Sequence, residues 1–293
     1  MKFKGKNLIL DNFRQVLKEY TLDVQDVVRS AILDDVDISK YIDSSSPYKL
    51  DQIRLAIKEG LNPTFFTVSG DMLYTIRRMS KEGVNLQPLE KQLKSNLSEE
   101  HTEYVVNWVL NGINFSKVNI ALVPKRLLKV YDRGLRAGVD MSKYSKIQKL
   151  VSPKYIDSCV TLEIAGKNTD FLCSVLWSND IVEYLQKFVD ISKEHWIKVS
   201  KYLNPYDSIE RVSVVVSLIV NNISELDALQ KRDGDDYVYS TECLQIVLEG
   251  FRENIDIKKL MSTKNPDEME SLLAELKLKK EIKVSGRFVK KSN

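Results

Sequence analysis

The sequence predicts an all-α protein, a solenoid of short and degenerate helical hairpin repeats of about 23–34 residues each. A short motif recurs along the chain at uneven intervals, as expected for units of one type joined by loops of varying length. Its residue types are those that end one helix and begin the next. With 11 glycines and 7 prolines in 293 residues, the chain is also poor in the turn residues of an all-β protein.

The motif is clearest in the pentapeptide Val-Asp-Ile-Ser-Lys, which occurs letter for letter at 36–40 and at 189–193. Other copies are less exact, and we number each by its Asp or Asn anchor. Near copies have their anchors at Asn114, Asp140 and Asp256, weaker ones at Asn62 and Asn85, and a degenerate one at Asn222. The spread of these anchors predicts helical units along most of the chain.

The residues around each anchor predict a helix boundary. Four copies carry a glycine two residues before the anchor: Gly60, Gly83, Gly112 and Gly138, and Asn254 takes that place in a fifth. Glycine and asparagine accept the left-handed conformation that ends a helix, and the next apolar residue packs back on the last turn. The anchor side chain can then accept N–H groups at the start of the following helix.

Prolines predict where the longer helix of a unit begins. Pro47, Pro124 and Pro266 each lie ten residues after an anchor, and proline suits the first turn of a helix. Apolar residues three and four positions apart follow each proline and share one helix face. They are Leu50, Ile53, Ala56 and Ile57 after Pro47; Leu127, Leu128, Tyr131 and Leu135 after Pro124; and Met269, Leu272, Leu273 and Leu276 after Pro266.

Four segments follow from these signals. We predict an N-terminal helical cap at 1–35, clear helical repeats at 36–150, degenerate repeats at 151–280 and a basic tail at 281–293 that forms a short strand or a frayed end. The cap holds a helix pair, around 13–20 and 24–32. In the degenerate part we predict helices at 155–164, 171–177, 181–188 (capped by Asp180), 212–220 (valine-rich and buried) and 241–251, with a loop at 231–236.

Two copies of the motif also resemble a known repeat. Gly-Val-Asp-Met-Ser at 138–142 and Gly-Ile-Asn-Phe-Ser at 112–116 resemble the Gly-Ala-Asp-Val-Asn turn that closes an ankyrin repeat, although the Thr-Pro-Leu-His signature is missing. The whole unit is similar to divergent ankyrin-like repeat proteins, mostly uncharacterised, of Gram-positive bacteria and their phages and plasmids. The likeness covers 30–150 well and 180–280 loosely. It implies a non-enzymatic protein-binding scaffold, and a phage or mobile-element regulator or inhibitor of a host complex.

Composition predicts a cytoplasmic protein. Cys159, Cys173 and Cys243 are odd in number and far apart, as expected for reduced thiols. The N-terminal lead lacks the apolar core of a signal peptide, and the longest apolar run, at 212–220, is too short to cross a bilayer. The 44 basic and 41 acidic residues nearly balance, so the net charge does not predict a polyanionic partner.

Basic residues are nevertheless candidate contacts for a partner or for phosphate groups. A lysine recurs three residues after the anchor, at Lys40, Lys117, Lys143, Lys193 and Lys259, and further basic residues follow at Lys125, Arg126, Lys129, Arg133 and Arg136. In a regular stack the lysines would form a ladder that could follow a phosphate backbone. The alternative interpretation is that each lysine is a solvated residue in a first helical turn.

Aromatic residues also allow two interpretations, one functional and one structural. Tyr41, Tyr144 and Trp196 lie near the motif turns, where they could stack on bases or belong to the core. Trp108 and Trp177 are predicted on longer helices as core residues. A protein partner is the leading hypothesis. The alternative is a nucleic-acid-binding protein that uses the lysine ladder and the basic stretch 117–154.

No catalytic, metal or cofactor constellation is predicted. His101 and His195 are expected at the surface, and neither has clustered ligands or a partner nucleophile in the sequence. The loop with Asp233, Asp235 and Asp236 lacks the spacing of a calcium loop, although it is the first place to look for an unrecognised active site. No phosphate-binding glycine loop occurs. We therefore predict no enzymatic activity and no cofactor.

Overall fold

The computed structural model describes residues 20–95, 97–234 and 236–289, with side chains as far as residue 282. Within these residues the chain is mostly helical and has a single two-stranded sheet, which confirms the all-α prediction. The chain forms two compact units, which divide between Pro153 and Lys154.

The first unit contains α-helices and shorter 3₁₀ helices. The α-helices are α1 (Leu22–Leu33), α2 (Pro47–Lys58), α3 (Gly70–Lys81), α4 (Gln87–Leu93), α5 (Glu99–Leu110) and α6 (Leu128–Arg136). The 3₁₀ helices are Ser39–Tyr41, Pro63–Thr67, Ile120–Leu122, Lys125–Leu127 and Met141–Lys146. The longer helices pack in succession, α1 on α2, α2 on α3, α3 on α5 and α5 on α6.

The second unit contains both longer and short helices. They are α7 (Pro153–Ile164), α8 (Asp170–Ser174), α9 (Asn179–Gln186), α10 (Lys193–Tyr202), α11 (Ile209–Val220), α12 (Leu226–Leu229), α13 (Thr241–Arg252), α14 (Ile257–Leu260) and α15 (Pro266–Val289). Strands β1 (Arg232–Asp233) and β2 (Asp236–Tyr237) pair antiparallel, with Arg232 opposite Tyr237. Helix α11 packs against α9, α10 and α13, so Val212, Val214, Val215 and Val216 are buried as predicted, whereas Val220 at its end is exposed.

The helices end as the motif predicts. Gly60, Gly83, Gly112 and Gly138 have φ between 64° and 78°, and Asn254 has φ 52°. The apolar residue that follows returns its N–H to the carbonyl five residues earlier, as Val139 does to Gly134 at 2.9 Å. This is the Schellman arrangement, which satisfies a carbonyl that the helix leaves free.

The anchors also cap as predicted. In six copies the side-chain oxygen of the anchor accepts the N–H of the residue two positions later, at 2.9–3.1 Å. The pairs are Asp37–Ser39, Asn62–Thr64, Asn85–Gln87, Asn114–Ser116, Asp140–Ser142 and Asp256–Lys258. Each of these bonds turns the chain directly after the preceding helix and leads it into the next segment.

Replacing Gly138 with alanine should lower the free energy of unfolding by about 1–2 kcal/mol, the cost of a left-handed residue with a Cβ. A Cβ added at this position would have no atom within 4 Å, so backbone conformation is the only source of the cost. Asparagine should cost less, because Asn222 and Asn254 already adopt φ 57° and 52°. Urea unfolding of the two variants tests this. Equal and negligible losses for alanine and asparagine would contradict it.

Three predicted elements are wrong. The segment 171–177 is helical only over Asp170–Ser174, and Trp177 lies beyond it instead of on a long helix. Helix α9 is capped by the hydroxyl of Ser178, which accepts the N–H of Ile181, and Asp180 lies inside the helix. Residues 281–289 continue α15 instead of forming a strand.

The identical pentapeptides adopt different structures. At 36–40 the Asp37 side chain caps the turn, and Ile38 is buried. At 189–193 the Ser192 hydroxyl accepts the N–H of His195, so Ser192 caps α10, which begins at Lys193. The second copy is therefore a helix N-terminus that is capped by its serine and not by its anchor.

The second predicted helix of the N-terminal cap forms as α1, with Val24, Val28 and Ala31 buried. The first predicted helix of the cap, 13–20, lies outside the described residues except for Tyr20.

Candidate binding surfaces

The lysines of the proposed ladder occupy different local structures. Lys40 lies in a 3₁₀ helix, Lys117 in the turn after α5, and Lys143 in the 3₁₀ helix after α6. In the second unit, Lys193 is the first residue of α10 and Lys259 lies in α14. Between Lys40 and Lys117, the positions three residues after Asn62 and Asn85 hold Phe65, which is buried, and Pro88. The lysine series in the first unit is therefore interrupted.

One lysine of the series joins two successive turns. Lys117 Nζ lies 2.9 Å from Asp140 Oδ2, and Asp140 Oδ1 accepts the hydroxyl of Ser142 at 2.6 Å. Both bonds favour the ionised carboxylate and lower the pKa of Asp140 to about 2. The bond from the Ser142 hydroxyl is the largest cause, and the bond from Lys117 is the second. The charge of Lys117 is thus matched by a carboxylate of the next turn.

A carboxyl NMR titration should find the pKa of Asp140 at about 2. Because this pKa lies below the unfolded value of about 3.9, ionised Asp140 stabilises the fold above that pH, and the contribution is lost as the pH falls toward 2. Ser142→Ala and Lys117→Ala should each raise the pKa of Asp140, since both side chains bond its carboxylate. A pKa near 3.9 in the wild-type chain, or no change in either variant, would contradict the assignment.

Three other basic residues of the predicted set also contact this chain. Arg136 Nε lies 2.8 Å from Asp132 Oδ1, and Lys125 Nζ lies 3.7 Å from Glu100 Oε2. Arg126 donates from Nη2 to the carbonyl oxygen of Val151 at 3.2 Å. These groups are partly matched before any partner binds.

The remaining basic residues of the set differ in exposure. Arg133 is half-buried, and Lys143 is half-buried with its Nζ 5.6 Å from the centre of the Tyr144 ring. Lys129 is exposed on α6. The stretch 117–154 still contains ten basic residues and only two acidic ones, Asp132 and Asp140, so this part of the chain is electropositive.

Most of the aromatic residues singled out in the sequence belong to the core. Tyr144 and Trp196 are buried, and so are Trp108 and Trp177, as predicted for core residues. These four rings therefore present no open face for a nucleic-acid base. Tyr41 is half-buried and makes an edge contact with Phe66, with ring centres 5.5 Å apart.

The histidines do not form a reactive site. His101 is buried, contrary to the prediction of a surface position: its Nδ1 lies 2.6 Å from Ser98 Oγ, and its Nε2 lies 2.8 Å from the carbonyl oxygen of Val123. His195 is half-buried, with Nε2 2.9 Å from Asn222 Oδ1. Both rings thus connect neighbouring segments of the fold.

The acidic loop is a hairpin in which Asp233 is opposite Asp236, while Asp235 lies outside the described residues. Over residues 20–95, 97–234 and 236–289, no group of three or more histidine, cysteine, aspartate or glutamate side chains could hold a metal ion. In the same part of the chain, no helix has the length and apolar character needed to cross a membrane.

A different set of residues forms the most unusual surface feature. Four large apolar residues are exposed just before a helical segment begins. Each lies two positions ahead of the residue that immediately precedes the segment. They are Leu122 (53%), Leu150 (69%), Leu176 (48%) and Tyr206 (89%). The residues that precede the helical segments are Pro124, Ser152, Ser178 and Ser208. The position is exposed and apolar before these four segments, whereas Ser44, Thr67 and Asp190 take the same place before Ser46, Ser69 and Ser192.

In the first unit, two of these residues lie in neighbouring loops. Arg126 follows Leu122 closely in sequence, and its guanidinium bonds the carbonyl oxygens of Val151 at 3.2 Å and Gln148 at 3.5 Å, on either side of Leu150. We call Leu122 and Leu150, with the exposed residues Lys125, Lys146 and Lys149, the Leu122–Leu150 surface.

Sequence reasoning missed this surface, although a signal was available. Each loop contains adjacent apolar residues, Leu122-Val123 and Leu150-Val151, and in both pairs the valine is buried while the leucine is exposed. In each pair the valine occupies the core-facing position, and the leucine beside it is left exposed.

The chain matches no protein-family model, no curated protein and no solved structure. The ankyrin-like resemblance therefore rests on the motif residues alone and stays a prediction.

Proposed function

We propose that this protein is a non-enzymatic scaffold, a solenoid of helical hairpins that binds another protein. The recurring helix ends, the anchor caps and the succession of packed longer helices support the solenoid. Stacked repeats of this kind offer extended surfaces for partners. A cytoplasmic location and a role as a regulator or inhibitor of a host complex follow from the composition and the resemblance, and are part of the proposal.

The observation that carries the proposal is the pair of exposed leucines Leu122 and Leu150, which lie on adjacent segments joined by Arg126. Leu176 and Tyr206 are also exposed and do not help to bury a core. A contiguous exposed apolar patch is typical of a surface that binds proteins. The pairing of Lys117 and Arg136 with carboxylates of the chain itself favours a protein over a phosphate backbone.

A tagged pull-down from host lysate tests the proposal, with half of the lysate treated with nuclease. We expect the same partner protein in both halves, and a weaker yield with the variant Leu122→Asp/Leu150→Asp/Leu176→Asp. Circular dichroism of the variant controls for folding. Loss of every partner after nuclease treatment would contradict the proposal.

A nucleic-acid-binding function is the second candidate, and the excess of basic residues in 117–154 favours it. Its affinity for duplex DNA or single-stranded RNA should fall steeply with salt, because each phosphate contact releases a counterion. A fluorescence anisotropy series over increasing salt distinguishes the two functions. Salt-sensitive binding that is lost in Lys129→Glu/Lys149→Glu would favour nucleic acid.

A further inference from the structure

We infer that the Leu122–Leu150 surface binds an acidic, amphipathic peptide segment of the partner, with apolar side chains on the two leucines and carboxylates on the surrounding lysines. This inference deepens the proposed scaffold function and rests on it. It concerns the first unit alone.

Hydrogen bonds join the two segments that carry the leucines and the lysines. The bonds from Arg126 to the carbonyl oxygens of Gln148 and Val151 hold the second loop beside the first, so Leu122 and Leu150 lie on joined loops. Both segments are held against the core, because Val123 and Val151 are buried. The Val123 carbonyl oxygen also bonds the His101 ring. The leucines are thus presented by a fixed backbone, which reduces the entropy lost on binding.

The charges define the chemistry of the occupant. Lys146 and Lys149 are exposed and have no ion-pair partner within the described part of the chain, and Lys125 has only the distant Glu100 carboxylate at 3.7 Å. Neither carboxylate of 117–154 is available, because Asp140 pairs with Lys117 and Asp132 pairs with Arg136. A segment that combines leucine-like anchors with aspartate or glutamate satisfies both parts of the surface.

Two other occupants fit less well. A nucleic-acid strand would leave both leucines exposed to solvent, and Tyr144, the nearest aromatic residue in sequence to the lysines, is buried. An anionic membrane would use leucines and lysines together, but these leucines are single residues on two loops, whereas membrane-surface binding typically uses a continuous apolar helix face.

Selection of a random peptide library on the immobilised full-length chain tests the inference. We expect selected peptides to be rich in Asp and Glu and to contain spaced Leu, Ile or Phe residues. Their affinity should fall by about tenfold or more with Leu122→Ser/Leu150→Ser, since removal of a central apolar anchor commonly has such an effect. Lys146→Glu/Lys149→Glu should weaken the acidic peptides similarly and should shift a new selection toward basic peptides.

The matched control is Leu33→Ser/Lys91→Glu, which changes an exposed leucine and an exposed lysine elsewhere in the first unit and should leave peptide affinity unchanged. Selected peptides without acidic bias, or equal affinity for the wild-type chain and the Leu122/Leu150 variant, would overturn the inference. Binding to phosphatidylserine vesicles that is lost in the same variant, with no peptide selected, would also overturn it in favour of a membrane.

The pull-down separates this inference from the proposed function. If a nuclease-resistant partner binds Leu122→Ser/Leu150→Ser as well as it binds the wild-type chain, the scaffold function stands and the docking surface is elsewhere. If no protein partner is retained after nuclease treatment, the scaffold function itself fails.

Discussion

Replacing Trp108 with alanine is expected to destabilise the first unit by about 4 kcal/mol, within the range for truncation of a fully buried aromatic residue. The Trp108 side chain is 0% exposed and packs against Phe115 with ring centres 5.6 Å apart. Its Nε1 donates to Asp132 Oδ1 at 2.7 Å, which joins α5 to α6. The substitution therefore leaves a large cavity and removes a bond between two helices.

Urea unfolding followed by circular dichroism measures this loss. Trp108→Phe keeps most of the ring volume but loses the N–H donor, so it should cost less than half as much as alanine. Asp132→Asn retains an acceptor oxygen for Trp108 and serves as a mild control. A loss below about 1 kcal/mol for Trp108→Ala would show that this ring does not belong to a closely packed core.

Replacing Glu59 with alanine should destabilise the same unit by about 3 kcal/mol, because it leaves a buried guanidinium without its carboxylate. Arg77 on α3 is buried and donates from Nε to Glu59 at 2.9 Å, with a second bond from Nη2, while Nη1 bonds Gln52 on α2 at 2.6 Å. Lys81 Nζ also lies 2.9 Å from Glu59.

The double variant Glu59→Ala/Arg77→Met distinguishes an unpaired charge from lost packing. It should recover most of the loss, since replacing both partners removes the buried charge. Burial raises the pKa of Glu59, but the bonds from Arg77 and Lys81 outweigh it and lower that pKa overall. The stabilisation by ionised Glu59 is therefore present above the unfolded pKa of glutamate and is lost as the pH falls through the pKa of Glu59 in the folded protein. The stability of Glu59→Ala should accordingly change less with acid than that of the wild-type chain. A double variant as unstable as Glu59→Ala would contradict the account.

Helix ends were predictable because their signals are local. A glycine such as Gly138 can be recognised from its immediate neighbours, since it ends a helix through its own backbone conformation. The further turn at Gly166 was not recognised, because the position that is usually apolar holds Lys167. That lysine is buried and bonds the carbonyl oxygen of Ile191, 24 residues later. Such a partner cannot be read from the turn itself.

The candidate site was predictable only in its charge. The excess of basic residues in 117–154 is visible in the sequence, but their pairing depends on carboxylates brought close by folding, as Asp140 is to Lys117. The prediction that the anchor caps the next helix is wrong at the pentapeptide 189–193 for a similar reason. Its anchor and its serine can each begin a helix, and the residues that follow decide between them, as with the cap that Ser192 provides to His195.

The hydrogen bonds that join neighbouring segments also bear on how the chain folds, because they connect residues that are close in sequence. Tyr131 and Gln148 are 17 positions apart, and Tyr237 and Asp207 are 30 apart. Contacts over so short a range need little loop closure, and proteins rich in them fold quickly. Each segment can therefore pack as soon as the next one leaves the ribosome, and a nascent first unit should resist protease before synthesis of the second is complete.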